Sequence, residues 1–113
     1  MDLGSTGEEE ACRFLRKKGY RILRRNFRAG RNEIDIIARS GNTVAFVEVK
    51  TRTSVNYAEP WEAVGFKKRK NIKTAAKSYL AEEFCNEYEY RFDVISITMD
   101  GSSARIEWMQ NAF

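Results

Sequence analysis

The sequence contains no histidine. That excludes a Ser-His-Asp triad, an HNH-type site, a histidine-ligated zinc and any imidazole base. Acid–base chemistry would fall to carboxylates, lysine, tyrosine or metal-bound water. There are only two cysteines, Cys12 and Cys85, with no CxxC or metal-ligand spacing, and they read as buried reduced thiols. No apolar run approaches the length of a membrane span, so no membrane association is expected. Residues Met1 to Glu8 lack the basic-then-apolar pattern of a signal peptide, and a cytoplasmic location is the expectation.

What is present fits one α/β domain over residues 1–113, with 42% hydrophobic and 12% aromatic residues supplying a single modest core. The net charge is +4, but its distribution is uneven. Nine basic residues and no acid lie between Arg13 and Arg31, among them Arg24, Arg25 and Arg28. Six more lie between Lys67 and Lys77, again with no acid: Lys67, Lys68, Arg69, Lys70, Lys73 and Lys77. Two acid-free blocks of this kind suit a polyanion such as nucleic acid. A solvated helix face is the alternative for either block alone.

Thr6 followed by Glu9 fits a capping box, and Ala11, Cys12, Phe14 and Leu15 form an apolar stripe of helical period. With Gly19 as a stop, a helix is predicted over 6–18. Bulky and branched residues predict strands over 20–27, 32–39 and 43–50. Gly41-Asn42 forms a two-residue turn between the last two. A polar loop over 51–59 is followed by Pro60, which can open a short turn or helix. A second helix is expected over 67–84, burying Ile72, Ala75, Ala76, Tyr79 and Leu80. Strands over 90–98 and 104–109 close the chain around Asp100-Gly101. The order is αβββαββ, with a mixed sheet flanked by helices.

The hairpin concentrates the chemistry. Counting outward from a Gly41-Asn42 turn, Asp35 lies opposite Glu48 and Glu33 opposite Lys50. Opposed Cβ atoms sit roughly 4.5–5.5 Å apart. Two carboxylates that close need a shared proton or a cation between them. Mg²⁺ is commonly held by one or two carboxylates plus phosphate oxygens. A neighbouring lysine can orient or deprotonate an attacking water and offset developing charge. Asp35, Glu48 and Lys50 therefore have the parts of a metal-assisted phosphodiesterase. The alternative is a row of surface charges on a half-exposed sheet. The apolar neighbours Ile34, Ile36, Ile37, Phe46, Val47 and Val49 weigh against it, because they describe strands covered on both faces. Glu8 precedes Ala11, Cys12 and Leu15 by helical spacing and can point toward the sheet, although a first-turn glutamate is also favoured by the helix dipole.

The stretches Gly7-Glu8, Gly19-Tyr20, Asn26-Phe27-Arg28, Glu33-Ile34-Asp35-Ile36-Ile37-Ala38 and Phe46-Val47-Glu48-Val49-Lys50 resemble the YraN-like family of small bacterial proteins. So do Arg52, Glu62-Ala63-Val64 with Lys67 after it, Arg91-Phe92-Asp93-Val94 and the ending Asn111-Ala112-Phe113. That family is placed in the PD-(D/E)xK nuclease superfamily, near Holliday-junction resolvases. The resemblance implies a restriction-endonuclease-like core, with Glu8, Asp35, Glu48 and Lys50 as catalytic residues. It further implies Mg²⁺ or Mn²⁺ held by Asp35, Glu48 and Glu8. One departure is Asn32, where the family usually has glycine; asparagine tolerates the left-handed backbone such a turn can require.

Arg28, Arg52, Lys67, Arg69 and Lys73 are candidates for phosphate contact, and Glu33 for a partner of Lys50. Asp93 suits a structural hydrogen-bonding role better than catalysis. Tyr57 and Trp61 could stack on a base or pack in the loop. The leading expectation is an endonuclease acting on DNA rather than RNA, with branched or damaged DNA as a candidate substrate. A two-fold homodimer would suit a junction. The alternatives are a nucleic-acid-binding module without useful catalysis and a partner-binding protein whose charge only aids solubility.

Overall fold

The computed structural model describes residues 3–53, 65–83 and 87–113. The elements run α1 (Leu3–Lys17), β1 (Arg21–Ala29), β2 (Asn32–Ser40), β3 (Thr43–Thr53), α2 (Phe66–Glu83), β4 (Glu89–Asp100) and β5 (Ser103–Met109). The strands form one sheet in the order β1-β2-β3-β4-β5. β3 and β4 are parallel, and every other neighbouring pair is antiparallel. A parallel pair needs a crossover, and α2 supplies it.

Each helix covers one face of the sheet. On α1, Ala11, Cys12 and Leu15 pack with Ile36, Ala38, Ala45, Val47, Ile95 and Ile97. On α2, Ile72, Ala75, Ala76 and Tyr79 repeat at helical spacing and pack with Ile34, Ile37, Val44, Phe46, Phe92 and Val94. Burying an aliphatic side chain of this size contributes about 1.5–3 kcal/mol each. β3 and β4, covered on both sides, therefore read as near-continuous apolar runs.

α1 begins at Leu3, about one turn before the Thr6 cap that the sequence suggests. It stops where expected: Gly19 has φ 90, and the Tyr20 N–H reaches back to the Leu15 carbonyl at 2.9 Å. Gly7 lies against β3 so closely that a Cβ there would collide with the Thr51 side chain. This contact sets the height at which the next residue, Glu8, meets the sheet. The Gly41-Asn42 turn forms as expected, with Ser40 opposite Thr43 and Gly41 at φ 58. β3 runs on to Thr53, into what the sequence suggests is loop. The expected turn at Pro60, the aromatics Tyr57 and Trp61, and Cys85 lie outside the described residues. Among the described residues, no helix is long and apolar enough to cross a membrane.

Candidate acidic cleft

The hairpin register holds as counted from the turn as far as Ile36 opposite Val47. There the regular pairing gives way. Ile36 faces α1, whereas Ile34 faces α2, so side-chain alternation breaks at Asp35. β1 breaks at the same level: Arg25 pairs with Glu9 on α1, and Phe27 joins the α2 cluster. Between them Asn26 sits at φ 51, a left-handed backbone that asparagine accepts better than most residues. The two irregularities lie side by side, since Arg25 pairs with Ile36 and Phe27 with Ile34. Asp35 is thereby turned along the sheet toward β3. Its Oδ2 accepts the Val49 backbone N–H at 2.8 Å, taking a donor that a regular ladder would use.

Glu48 projects from β3 onto the α2 face and is 2% exposed. Lys68 of α2 reaches its Oε1 at 2.6 Å. Lys50, two residues along the same face of the strand, is 4.0 Å from that oxygen. Oε2 is buried and has no hydrogen-bond partner. Burial and then the neighbouring charge of Asp35 push the Glu48 carboxyl up to about 7, outweighing the opposing pull of Lys68. The Lys68 ammonium is raised: burial pulls it down, but its bond to Glu48 and that group's charge prevail.

Glu8 is half-buried on α1. Burial first, and then the Asp35 charge, raise its pKa, so it lies within the field of the same cluster. The Asn26 amide, oriented with its nitrogen toward the acids, donates to Glu8 Oε1 at 3.2 Å and Glu33 Oε1 at 3.0 Å. Glu33 also pairs with Arg28 at 3.6 Å. Its expected partner was Lys50, but the ladder that would oppose them stops at Ile36, and Lys50 has Glu48 as its near acid. Glu33, Asp35 and Glu48 line an open cleft of about 610 Å³ with Arg31, Asn32, Lys67 and Lys68.

Three residues at or beside this cluster escaped the sequence reading. Lys68, rather than Lys67, is the helix lysine on Glu48. The signal was available: Lys68 lies four residues before the buried Ile72, on the same helical face. Asn26 stands mid-strand, where asparagine is disfavoured unless the backbone needs it. Ser96 is opposite Lys50 in β4, and its Oγ is buried without a partner. Of the remaining candidates, Lys67 lines the acidic cleft, Arg69 and Lys73 line a neighbouring groove, and Arg52 lies opposite Thr98 near the end of β3. Among the described residues, no group of three or more His, Cys, Asp or Glu is gathered closely enough to hold a metal ion unaided.

The first basic block looks different in three dimensions. Arg13 pairs with Glu10 at 3.1 Å, Arg25 with Glu9 at 2.9 Å and Arg24 with Glu82 at 3.6 Å. For Arg24 and Arg25 the fold supplies acids that the local sequence lacks, and basic side chains along edge strand β1 also discourage edge-to-edge pairing.

Asp93 is a closed structural centre on the opposite face. Arg91 Nε donates to both its oxygens at 3.0 Å, Trp108 Nε1 to Oδ2 at 3.0 Å and the Asn111 N–H to Oδ1 at 3.1 Å.

The αβββαββ order and mixed sheet, with a hairpin carrying the acids, have the architecture of the restriction-endonuclease-like α/β core. The chain belongs to the uncharacterised protein family UPF0102, whose model matches residues 7–97. It is 50% identical to a UPF0102 protein of Chloroherpeton thalassium over 88% of this chain and 77% of the relative. A UPF0102 protein of Caldicellulosiruptor saccharolyticus is 43% identical over 99% and 97% of the two chains. One of Geobacter metallireducens is 50% identical over 98% and 91%.

Proposed function

We propose that this chain is a metal-dependent endonuclease that hydrolyses phosphodiester bonds of DNA in the acidic cleft. The observation that carries this reading is Glu48. It is a buried carboxyl with an unpartnered oxygen, set beside the charge of Asp35. Such an arrangement costs free energy unless something cationic completes it.

Asp35 and Glu48 would hold Mg²⁺ or Mn²⁺, with Glu8 joining from α1. A donor set this small fits an ion whose remaining positions are filled by water and by phosphate oxygens of the substrate. When bound, the ion would supply Lewis-acid polarisation of the phosphate and a more acidic water. The chain's own part is positional. The Val49 N–H fixes the Asp35 carboxylate. Lys50 and Lys68 flank Glu48 and offset the charge of the phosphate and of the attacking oxygen. Lys67, in the same cleft, is placed to meet the backbone on either side of the scissile bond.

Asp35→Ala tests this with branched and supercoiled DNA in Mg²⁺ or Mn²⁺. Cleavage should be abolished while DNA binding is largely kept. Cleavage by the variant at the rate of the unaltered protein would sink the proposal.

A second reading has its own observation. Without three gathered ligands among the described residues, and with Lys68 seated on Glu48, the fold suits a nucleic-acid-binding module without catalysis. It predicts binding that weakens steeply with salt and no cleavage in any divalent metal.

A further inference from the structure

Lys67 and Lys68 of the second basic block line the acidic cleft, whereas Lys70, Lys73 and Lys77 form a separate ridge along α2. Phe66, Lys70, Lys73 and Lys77 follow helical spacing, one stripe round from the buried Ile72, Ala76 and Tyr79. A groove of about 480 Å³ runs beside them, lined by Phe66, Arg69, Lys70, Lys73, Thr74, Lys77 and Phe113. Among these described residues there is no carboxylate side chain. A smaller groove of about 230 Å³ shares Lys73 and Lys77 and is bordered by Tyr90.

Two large apolar side chains are exposed among the described residues: Phe66, at 83%, and Tyr90, at 54%. Both border this one ridge. Phe66 also lines the acidic cleft, so groove and cleft meet at its ring. From Phe66 to Lys77 the ridge is about 16 Å long at the helical rise. Exposing an aromatic ring in water gains nothing for the fold, and an isolated exposed ring needs no explanation. Two rings, at opposite borders of a row of cations with no carboxylate side chain among the described lining residues, match a ligand that carries flat apolar surfaces on a polyanionic backbone.

We infer that the α2 ridge is a binding track for single-stranded DNA, with phosphates along Lys70, Lys73 and Lys77 and unpaired bases stacked on Phe66 and Tyr90. Duplex DNA offers the same phosphates but keeps its bases stacked inside. Rings beside a cationic row therefore discriminate for the single strand. The Phe66 position would lead a strand from the track into the acidic cleft. The inference rests on the nucleic-acid part of the proposed function and is independent of the metal.

The test is fluorescence anisotropy of a short oligothymidylate and of its duplex with oligoadenylate, in EDTA so that nothing is cut. The unaltered protein should bind the single strand more tightly. Phe66→Ala should weaken that binding about tenfold, equivalent to roughly 1.4 kcal/mol. It should leave the salt dependence unchanged, and Phe66→Trp should restore affinity. Lys70→Ala should instead reduce the log–log salt slope by about 0.7, one phosphate contact on a single strand.

Equal affinity for single strand and duplex, with Phe66→Ala binding as the unaltered protein does, would overturn the track and leave the nuclease reading standing. Tighter binding of oligouridylate would overturn the DNA assignment. Concentration-dependent dimerisation lost in Phe66→Ala, seen by sedimentation, would overturn it in favour of a second copy as the occupant. Single-strand binding without cleavage of any DNA in Mn²⁺ would instead support the track and count against the nuclease.

Discussion

Asp93 and Glu48 are buried carboxyls on adjacent parallel strands, one turned toward α1 and the other toward α2. Asp93 is 0% exposed and both its oxygens are engaged, by Arg91, Trp108 and the Asn111 N–H. Arg91 is itself held by the Tyr20 hydroxyl, which accepts its Nη2 at 2.7 Å. Glu48 is nearly as buried, yet it has one lysine within hydrogen-bond distance, a second carboxylate beside it and an oxygen with no partner. The first network ties the turn after α1, β4, β5 and the C-terminal turn together. The second leaves an electrostatic demand that the fold does not meet. Burial of a charge alone therefore says little about its role; what separates the two is whether the surrounding donors match the available lone pairs.

The largest expected effect lies on the Asp93 side. Asp93→Ala removes the acceptor for the Arg91 guanidinium and for the part-buried N–H groups of Trp108 and Asn111. Breaking a buried pair from one side typically costs about 3–5 kcal/mol. Urea unfolding at neutral pH should show a loss of that order. A loss below about 1 kcal/mol would break the contrast, because Asp93 would then be no more committed to the fold than a surface acid.

The Glu48 side should respond to protons in the opposite sense from a stabilising ion pair. The fold raises this carboxyl from 4.5 to about 7. The folded chain thus keeps a proton that the unfolded chain has already released. Stability from this group falls as pH rises across that window. The full swing is on the order of 3 kcal/mol. Glu48→Gln, which cannot ionise, should lose this part of the slope and should be at least as stable as the unaltered protein at pH 7.5. Parallel stability profiles for the two proteins from pH 4.5 to 7.5 would mean that Lys68 fully compensates the charge, and the two carboxyls would differ less than their partners suggest.

The sequence carried more of the fold than of the site. Helical and alternating periodicity placed all seven elements, because two-sided burial writes itself into the apolar pattern. The turn residues Gly41-Asn42 fixed the hairpin register as far as Ile36 opposite Val47. What the sequence could not convey was the break in that register. It depends on Asn26 adopting φ 51 opposite Asp35, a conformation decided jointly by two strands. That break also uncouples Glu33 from Lys50. The meeting of Lys68 with Glu48 depends on how α2 crosses the sheet, which helical period alone leaves open. The same applies to the basic blocks: Arg24 and Arg25 find acids far away in sequence, and only the packed chain shows which cations share surfaces with carboxylates.

The smallest expected effect sharpens the comparison most, because it asks what the unmet demand at Glu48 is for. Lys68 lies 2.6 Å from Oε1, and its side chain is 48% exposed, so it can swing clear without uncovering the core. If a divalent cation is the natural complement, Lys68 competes with it for that oxygen and repels it. Lys68→Met should then tighten Mn²⁺ binding, measured by calorimetry at pH 7.5, by up to about tenfold, or roughly 1.4 kcal/mol. Lys50→Met should do less, since its ammonium stands 4.0 Å from the same oxygen. Both variants keep a long unbranched stem to cover the apolar neighbours, so packing changes little. Equal Mn²⁺ affinity in all three proteins would show that Lys68 yields at no cost. If no Mn²⁺ is taken up even without Lys68, the lysine itself completes Glu48, and the cleft becomes a second structural centre, less well satisfied than Asp93 but of the same kind.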